Sequence, residues 1–315
     1  MIRTLGSLLF YARFLRSFSA IAYRRRARNW PDFNPDYSGQ TWLVTGATGG
    51  IARSVALTAV SCGATVIAVG RSTTKLEALC ADANDDGRLI PLRADLSELV
   101  DVANLPNHEA ISERSIDVLV NSVGVLLNKF ETTSEDFERS FATNLLGHWV
   151  LTESLLAEKR LACDGLVIEV SSGGMYGSAL KLEPMDCRRP DDYDGMVAYA
   201  MHKRAQVELT HHWNQRWQGG PIAHVMHPGW VDTEGVKNAL PVFRSALKTI
   251  LRNPAQGADT IHWLVDEYPE AVGEGIWLDR ELHPEHEFKF TRHSSFDANA
   301  LGNFLKRTAG RVLQP

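Results

Sequence analysis

Tyr199 and Lys203 stand four residues apart in the string Tyr199-Ala200-Met201-His202-Lys203. The pattern around them, residues 197–217, predicts a helix, and a spacing of four puts both side chains on one face of it. A tyrosine hydroxyl ionises near pH ~10. An ammonium beside it stabilises the phenolate and lowers that value, so the hydroxyl can exchange a proton with a substrate oxygen near neutral pH. The same pair on an exposed helix face would do nothing, because such faces are usually solvated. A second hydroxyl gives the acid–base reading its weight. Ser171-Ser172 closes the apolar run Leu166-Val167-Ile168-Glu169-Val170, and a serine at a strand end can hydrogen-bond a reacting oxygen.

Other elements must hold these groups together. Short apolar runs at 41–45, 64–69, 89–92, 116–120, 166–170, 222–226 and 275–278 predict strands, and 51–62, 74–83, 134–160, 197–217 and 254–268 predict helices. Strands alternating with helices form βαβ units and a parallel sheet covered on both faces. Ligands in such folds sit at the carboxyl ends of the strands. The first strand runs there into Thr45-Gly46-Ala47-Thr48-Gly49-Gly50-Ile51-Ala52, whose glycines let phosphates approach the backbone and the following helix N-terminus. The second strand ends Val69-Gly70-Arg71-Ser72, with no acidic side chain for ribose hydroxyls. Arg71 instead offers a planar fork of donors suited to a phosphate.

With these residues the chain resembles the short-chain dehydrogenase/reductase family over about residues 30–282. In that family's TGxxxGxG turn, Gly46 and Gly50 match and Ala52 replaces the last glycine; Gly46 and Gly49 also match the TGxxGxxG of its epimerase-like branch. Asn144 in Thr143-Asn144-Leu145-Leu146-Gly147, Asn121 and Gly124 in Asn121-Ser122-Val123-Gly124, and His227-Pro228-Gly229-Trp230-Val231-Asp232-Thr233 match further motifs, with Ser122 and Val123 departing from the pattern. Ser171-Ser172-Gly173-Gly174-Met175 and Ala255-Gln256-Gly257-Ala258-Asp259-Thr260 are similar to the member-12-like proteins of the single-domain branch. The resemblance implies an α/β, Rossmann-type doubly wound parallel sheet in three layers, and an oxidoreductase interconverting a carbonyl and an alcohol. It implies Asn144, Ser172, Tyr199 and Lys203 as the catalytic set. Cofactor contacts are expected from Thr45, Gly46, Thr48, Gly49, Gly50 and Ile51, then Arg71, Ser72, Asp95 and Leu96, then Asn121, Gly124, Tyr199 and Lys203, and last Pro228, Gly229, Val231 and Thr233. Gly-Arg after the second strand favours NADP(H) over NAD(H). A non-catalytic relative that binds cofactor or lipid is the alternative. The segment holding Pro184, Met185, Asp186, Pro190 and Tyr193 is expected to form a substrate-side loop, and Val236, Leu240, Val242, Phe243 and Leu247 an apolar lid for a lipophilic substrate.

Charge divides the chain unevenly. The net charge is −5, yet residues 1–30 carry seven arginines and no acid. The acidic remainder repels phosphate backbones and argues against nucleic-acid binding. In the basic arm, Leu5, Leu8, Leu9, Ala12 and Leu15 share a helical face, but no apolar run approaches the ~20 residues of a membrane-spanning helix. Two arrangements are open: a helix lying on an anionic membrane with Phe10, Tyr11, Phe14 and Phe18 inserted, or one packed on its own domain or on a second subunit of a homo-oligomer. The four cysteines, Cys62, Cys80, Cys163 and Cys187, are scattered without metal-ligand spacing, so no metal is expected and a reducing, cytoplasmic setting fits. An acid-free, arginine-rich start also leaves an organellar address open. The expected divisions are an arm and linker at 1–38, a single domain at 39–282 and a C-terminal extension at 283–315.

Overall fold

The computed structural model describes residues 13–83, 87–183, 185–186, 190–271, 273–292, 294 and 296–313. Its described strands are β1 (Thr41–Thr45), β2 (Thr65–Gly70), β3 (Leu89–Arg93), β4 (Ile116–Asn121), β5 (Leu161–Val170), β6 (Ile222–Met226), β7 (Ile276–Leu278) and β8 (Glu281–His283). They form one sheet in the order β3-β2-β1-β4-β5-β6-β7-β8. Pairing is parallel as far as β7, and β8 returns antiparallel. The order reverses between β1 and β4, which opens a crevice at the carboxyl edge of the sheet.

Alternation along each strand sorts the core into two layers. Trp42 and Val44 of β1 face α2 (Gly50–Ser61) and α8 (Pro254–Glu267), with Val55, Ala59, Ile261 and Leu264 among the buried partners. Leu43 faces the opposite way, into a layer that holds Leu151 of α4 (Gly147–Ala157), Leu209 of α5 (Gly195–Arg216) and Leu301 of α9 (Ala298–Ala309). The remaining labelled helices are α1 (Ala20–Ala27), α3 (Thr73–Ala83), α6 (Glu234–Ala239) and α7 (Pro241–Leu247). The result is the expected three-layer α/β fold.

The predicted helix at 134–160 starts late. Residues 132–138 form a loop closed by a Thr132–Glu138 bridge, with Asp136 at φ 61°. Helix begins at Arg139, where the Glu138 carboxylate accepts from the backbone of Ser140 and Phe141, satisfying donors a helix start leaves free. A π-helical turn then spans Ala142–Leu146. The segment around 180–193 is not an open substrate loop where described. Leu180, Leu182 and Met185 join the core, and the Tyr193 hydroxyl donates to the Leu127 carbonyl and to Glu138. Pro184 lies outside the described residues. The C-terminal stretch also closes the same core, because Leu301, Leu305 and Ala309 of α9 pack on α5.

The arm lies against the domain. Phe14 and Phe18 are buried with Met175, Tyr176, Val207 and Val225, so neither is available to a membrane; Phe10 and Tyr11 fall outside the described residues. Arg252 donates to the Ser17 and Phe18 carbonyls and pairs with Asp279, which also binds Arg26. Asp279 and Arg280 form a two-residue turn between β7 and β8, both at positive φ (53° and 63°). Such a turn matches sheet twist and suits an aspartate at its first position, while an arginine at its second is strained. The ion pairs of Asp279, and Arg280 held bidentate by Asp259 at 2.7 and 2.9 Å, offset that strain.

Candidate active site

The site gathers where the carboxyl ends of β1, β4, β5 and β6 meet. The turn after β1 needs its glycines at two positions. Gly46 sits at φ 71°, where an added Cβ would lie 3.2 Å from Val123 Cα, and Gly50 at φ 52°, where it would lie 3.1 Å from Thr233. Gly49 caps α2 without a side-chain hydrogen bond, leaving the first backbone donors of that helix to an anion. Thr48 packs over Gly70, where a Cβ would come within 2.6 Å of its methyl, next to Arg71. These features fit a dinucleotide pyrophosphate. Arg71 is exposed and 3.7 Å from Asp95. Both line a cavity of about 610 Å³ with Arg93, a second guanidinium that the sequence reading missed. The register Gly70↔Arg93 signals it only once β2 and β3 are paired.

Several expected contact residues spend their side chains inside the protein. The Thr45 hydroxyl is buried, donates to the Val120 carbonyl and accepts from the Ser122 and Val123 amides. It thereby fixes the chain that leads to Gly124. Asn121 is buried and donates to Thr152 and Glu169. The Ser72 hydroxyl accepts from the Lys75 amide, and Leu96 lies in the core. Val231 is buried against Gly257, and at Gly229, φ 74°, an added Cβ would lie 2.5 Å from Arg252 Nε and 2.7 Å from the Phe18 carbonyl oxygen.

The four residues proposed for chemistry are brought together. Ser172 follows β5, and its hydroxyl accepts from the Gly174 amide at 3.2 Å; a Cβ at Gly174 would stand 3.7 Å from that hydroxyl and 3.6 Å from the Tyr199 ring. Tyr199 and Lys203 share one face of α5, with the ammonium 5.7 Å from the ring centre. Ser171 locks this helix to the strand by donating to the Lys203 carbonyl at 2.7 Å, and Lys203 Nζ donates to the Val170 carbonyl at 2.8 Å. A Cβ at Gly124 would stand 3.5 Å from both Lys203 Nζ and Asn144 Oδ1. Asn144 lies in the π-helical turn and clasps Val125 through both ends of its amide, at 2.7 and 2.8 Å. Turns of this kind recur at functional sites because the extra residue frees backbone groups.

The electrostatics differ from the sequence expectation in one respect. Burial pushes the Tyr199 hydroxyl up from its ordinary value, with Ser172 acting the other way, where the sequence predicts a lowering by Lys203. Burial also lowers Lys203, to about 8, with the Glu169 carboxylate acting the other way.

The family profile described as short chain dehydrogenase matches residues 40–182. Dehydrogenase/reductase SDR family member 12 of Bos taurus is 35% identical over 297 residues, 89% of this chain and 90% of that protein. Its Homo sapiens namesake is 34% identical over 270 residues, 82% of each. The chain belongs to the short-chain dehydrogenase/reductase family. Within this oxidoreductase family it is also similar to a polyprenol dehydrogenase of Danio rerio, 30% identical over 264 residues, 79% of this chain and 80% of that one. The solved structure of an angucycline C-6 ketoreductase with bound NADP has the same fold, with a TM-score of 0.58 at 24% identity, covering 74% of this chain and 91% of that one.

Proposed function

We propose that this short-chain dehydrogenase/reductase uses NADP(H) to interconvert a carbonyl and an alcohol on a lipophilic small molecule. Tyr199 and Ser172, side by side at Gly174 with the Lys203 ammonium 5.7 Å from the tyrosine ring centre, carry the proposal. The nicotinamide, when bound, supplies or takes up the hydride. Ser172 holds the substrate oxygen, and Tyr199 gives it a proton in reduction or removes one in oxidation. Burial favours protonated Tyr199, the form that reduction requires. Lys203 and Asn144 flank Gly124, so a cofactor ribose lying over that glycine would meet the ammonium. The planar forks of Arg71 and Arg93, in a cavity that Asp95, Glu98 and Asp101 also line, support preference for the 2′-phosphate of NADP.

Apolar side chains support the lipophilic substrate. Met196 and Val197, just before Tyr199 on α5, are exposed. The lid helices α6 and α7 have no buried residue, and Val242 is exposed while Phe243 meets Trp230 edge-on. A relative named polyprenol dehydrogenase is in keeping with this. NADPH consumption by the full chain, with long-chain aldehydes and ketones, is the test. Tyr199→Phe should cut kcat by roughly 10²–10⁴ while NADPH still binds, more tightly than NADH. Wild type and variant equally inert on every substrate, with both binding NADPH, would overturn the enzymatic assignment.

The arm supports a second contact. Arg16, Arg24, Arg25 and Arg28 point outward with Leu15 and Ile21, and no described helix is long and apolar enough to cross a membrane. Each such arginine near an anionic bilayer contributes about 1 kcal/mol. Replacing Arg24, Arg25 and Arg28 with glutamine should release the protein from phosphatidylserine vesicles in a sedimentation assay; unchanged sedimentation sinks the idea.

A further inference from the structure

The amino-terminal arm reaches the back of the active site. The family profile begins at residue 40, so the arm lies outside it, and the proposed chemistry gives the arm no part. Phe18 is 2% exposed. Its ring covers Gly173, the residue after Ser172. A Cβ added at Gly173 would lie 2.6, 3.1 and 3.4 Å from three ring carbons, and no other atoms come as near. Gly173 does not take a positive φ, so the ring, not the backbone, asks for glycine there. The same ring meets His227 edge-on at 4.5 Å and stacks on Phe14 at 4.4 Å. The Phe18 carbonyl accepts from the Trp230 amide and from Arg252 Nε, both at 2.9 Å. Arg252 completes the join: its amide donates to the Trp230 carbonyl at 2.7 Å, and its carbonyl accepts from the Asp232 amide at 2.8 Å.

We propose that the arm is a working part of the active site, with Phe18 as its positioning residue: the ring fixes the loop that carries Ser172, and the carbonyl fixes the segment 228–233 from which cofactor contacts are expected. Hydrogen bonds inside the loop tie it only to itself. The Gly174 amide donates to the Ser172 hydroxyl at 3.2 Å and the Met175 amide to the Ser172 carbonyl at 3.0 Å. Farther along, Arg204 of α5 holds the Met175 carbonyl at 3.2 Å. Gly173 is buried without a side chain of its own, and Phe18 supplies the packing it lacks. A hydroxyl that must hold a reacting oxygen loses rate when its support shifts by about an ångström. Ring and carbonyl act on different segments, so a side-chain substitution separates them.

This inference rests on the proposed role of Ser172, and its test includes a readout that needs no turnover. In the full chain, Phe18→Ala removes the ring and keeps the carbonyl. With NADPH and long-chain aldehydes, kcat should fall about tenfold while the Kd of NADPH stays within about threefold of wild type. Hydrogen exchange of the Gly174 amide, followed by NMR on ¹⁵N-glycine-labelled protein and assigned by Gly174→Ala, should quicken about tenfold as the loop loosens. Gly173→Ala drives a methyl into the ring and should also cost about tenfold in kcat. Independent losses would multiply to about a hundredfold in the double variant, whereas losses through one contact leave it near tenfold. If Phe18→Ala does not fold, Phe18→Leu takes its place in the same cycle. An unchanged kcat in the Phe18 variant, multiplied losses in the double variant, or NADPH binding lost in step with kcat overturns the proposal. If wild type turns over no substrate but Gly174 exchange still quickens, the positioning of the loop stands and the enzymatic assignment is what fails. Unchanged exchange sinks the inference in either case.

Discussion

Glu169 and Asp279 are both buried carboxylates with basic partners, and they are built for different work. Asp279 binds Arg26 and Arg252, and Arg252 extends to the Ser17 and Phe18 carbonyls. Guanidiniums do not give up protons in the range where proteins function, so this node is a fixed brace between the arm, the β7–β8 turn and the stem of the lid. Glu169 faces His148 at 2.8 Å, and an imidazole can exchange a proton. The difference teaches where each kind of cation belongs: permanent charge where the chain must be held, exchangeable charge where protons must move.

The sharpest way to break the comparison is to remove the brace. Asp279→Ala leaves Arg252 buried and unpaired, which costs about 3–5 kcal/mol. In urea denaturation the loss should be the same at pH 7 and pH 9, and limited trypsin digestion should cut first in the freed arm. A strongly pH-dependent loss would make the two clusters alike. Acid acts next in size. Burial lowers His202, His224 and His262 to about 4, below the unfolded value near ~6.5. Between these values the unfolded chain binds protons that the folded chain refuses, so stability falls as pH falls. The expected loss is about 1 kcal/mol per histidine from pH 6.5 to 5.5, roughly 3 kcal/mol in all, seen as a falling Tm; a flat Tm would contradict it. The smallest stability effect belongs to Glu169→Gln, below about 1 kcal/mol in urea denaturation because its hydrogen bonds are replaceable.

Much of the site could be read along the chain because its chemistry is local. The four-residue spacing of Tyr199 and Lys203 is a helix turn, and the glycine turn follows an apolar strand. Arg93 and the Glu169 cluster could not be read that way. Arg93 meets Arg71 only through strand pairing, and Glu169 stands in an apolar run that predicts a strand and no partner. Thr45 and Asn121 illustrate the reverse: their positions suggested contact with a ligand, but burial turned their hydrogen bonds inward. The late start at Arg139 depended on the Glu138 cap, which competes with a helical pattern that began earlier. The arm had two open arrangements, and packing of Phe14 and Phe18 on Tyr176 and Met175 chose between them.

By itself, the sequence determined the strand-and-helix alternation, the glycine turn, the Tyr199–Lys203 face and the serine pair, since these depend on neighbours a few residues away. The tertiary structure alone decided which charges meet in the interior. Glu169 with His148, and Asp279 with Arg252 and Arg26, join residues 21, 27 and 253 positions apart. Residues that far apart in sequence meet only after the sheet and its layers have formed, and the low dielectric that gives each pair its force exists only then.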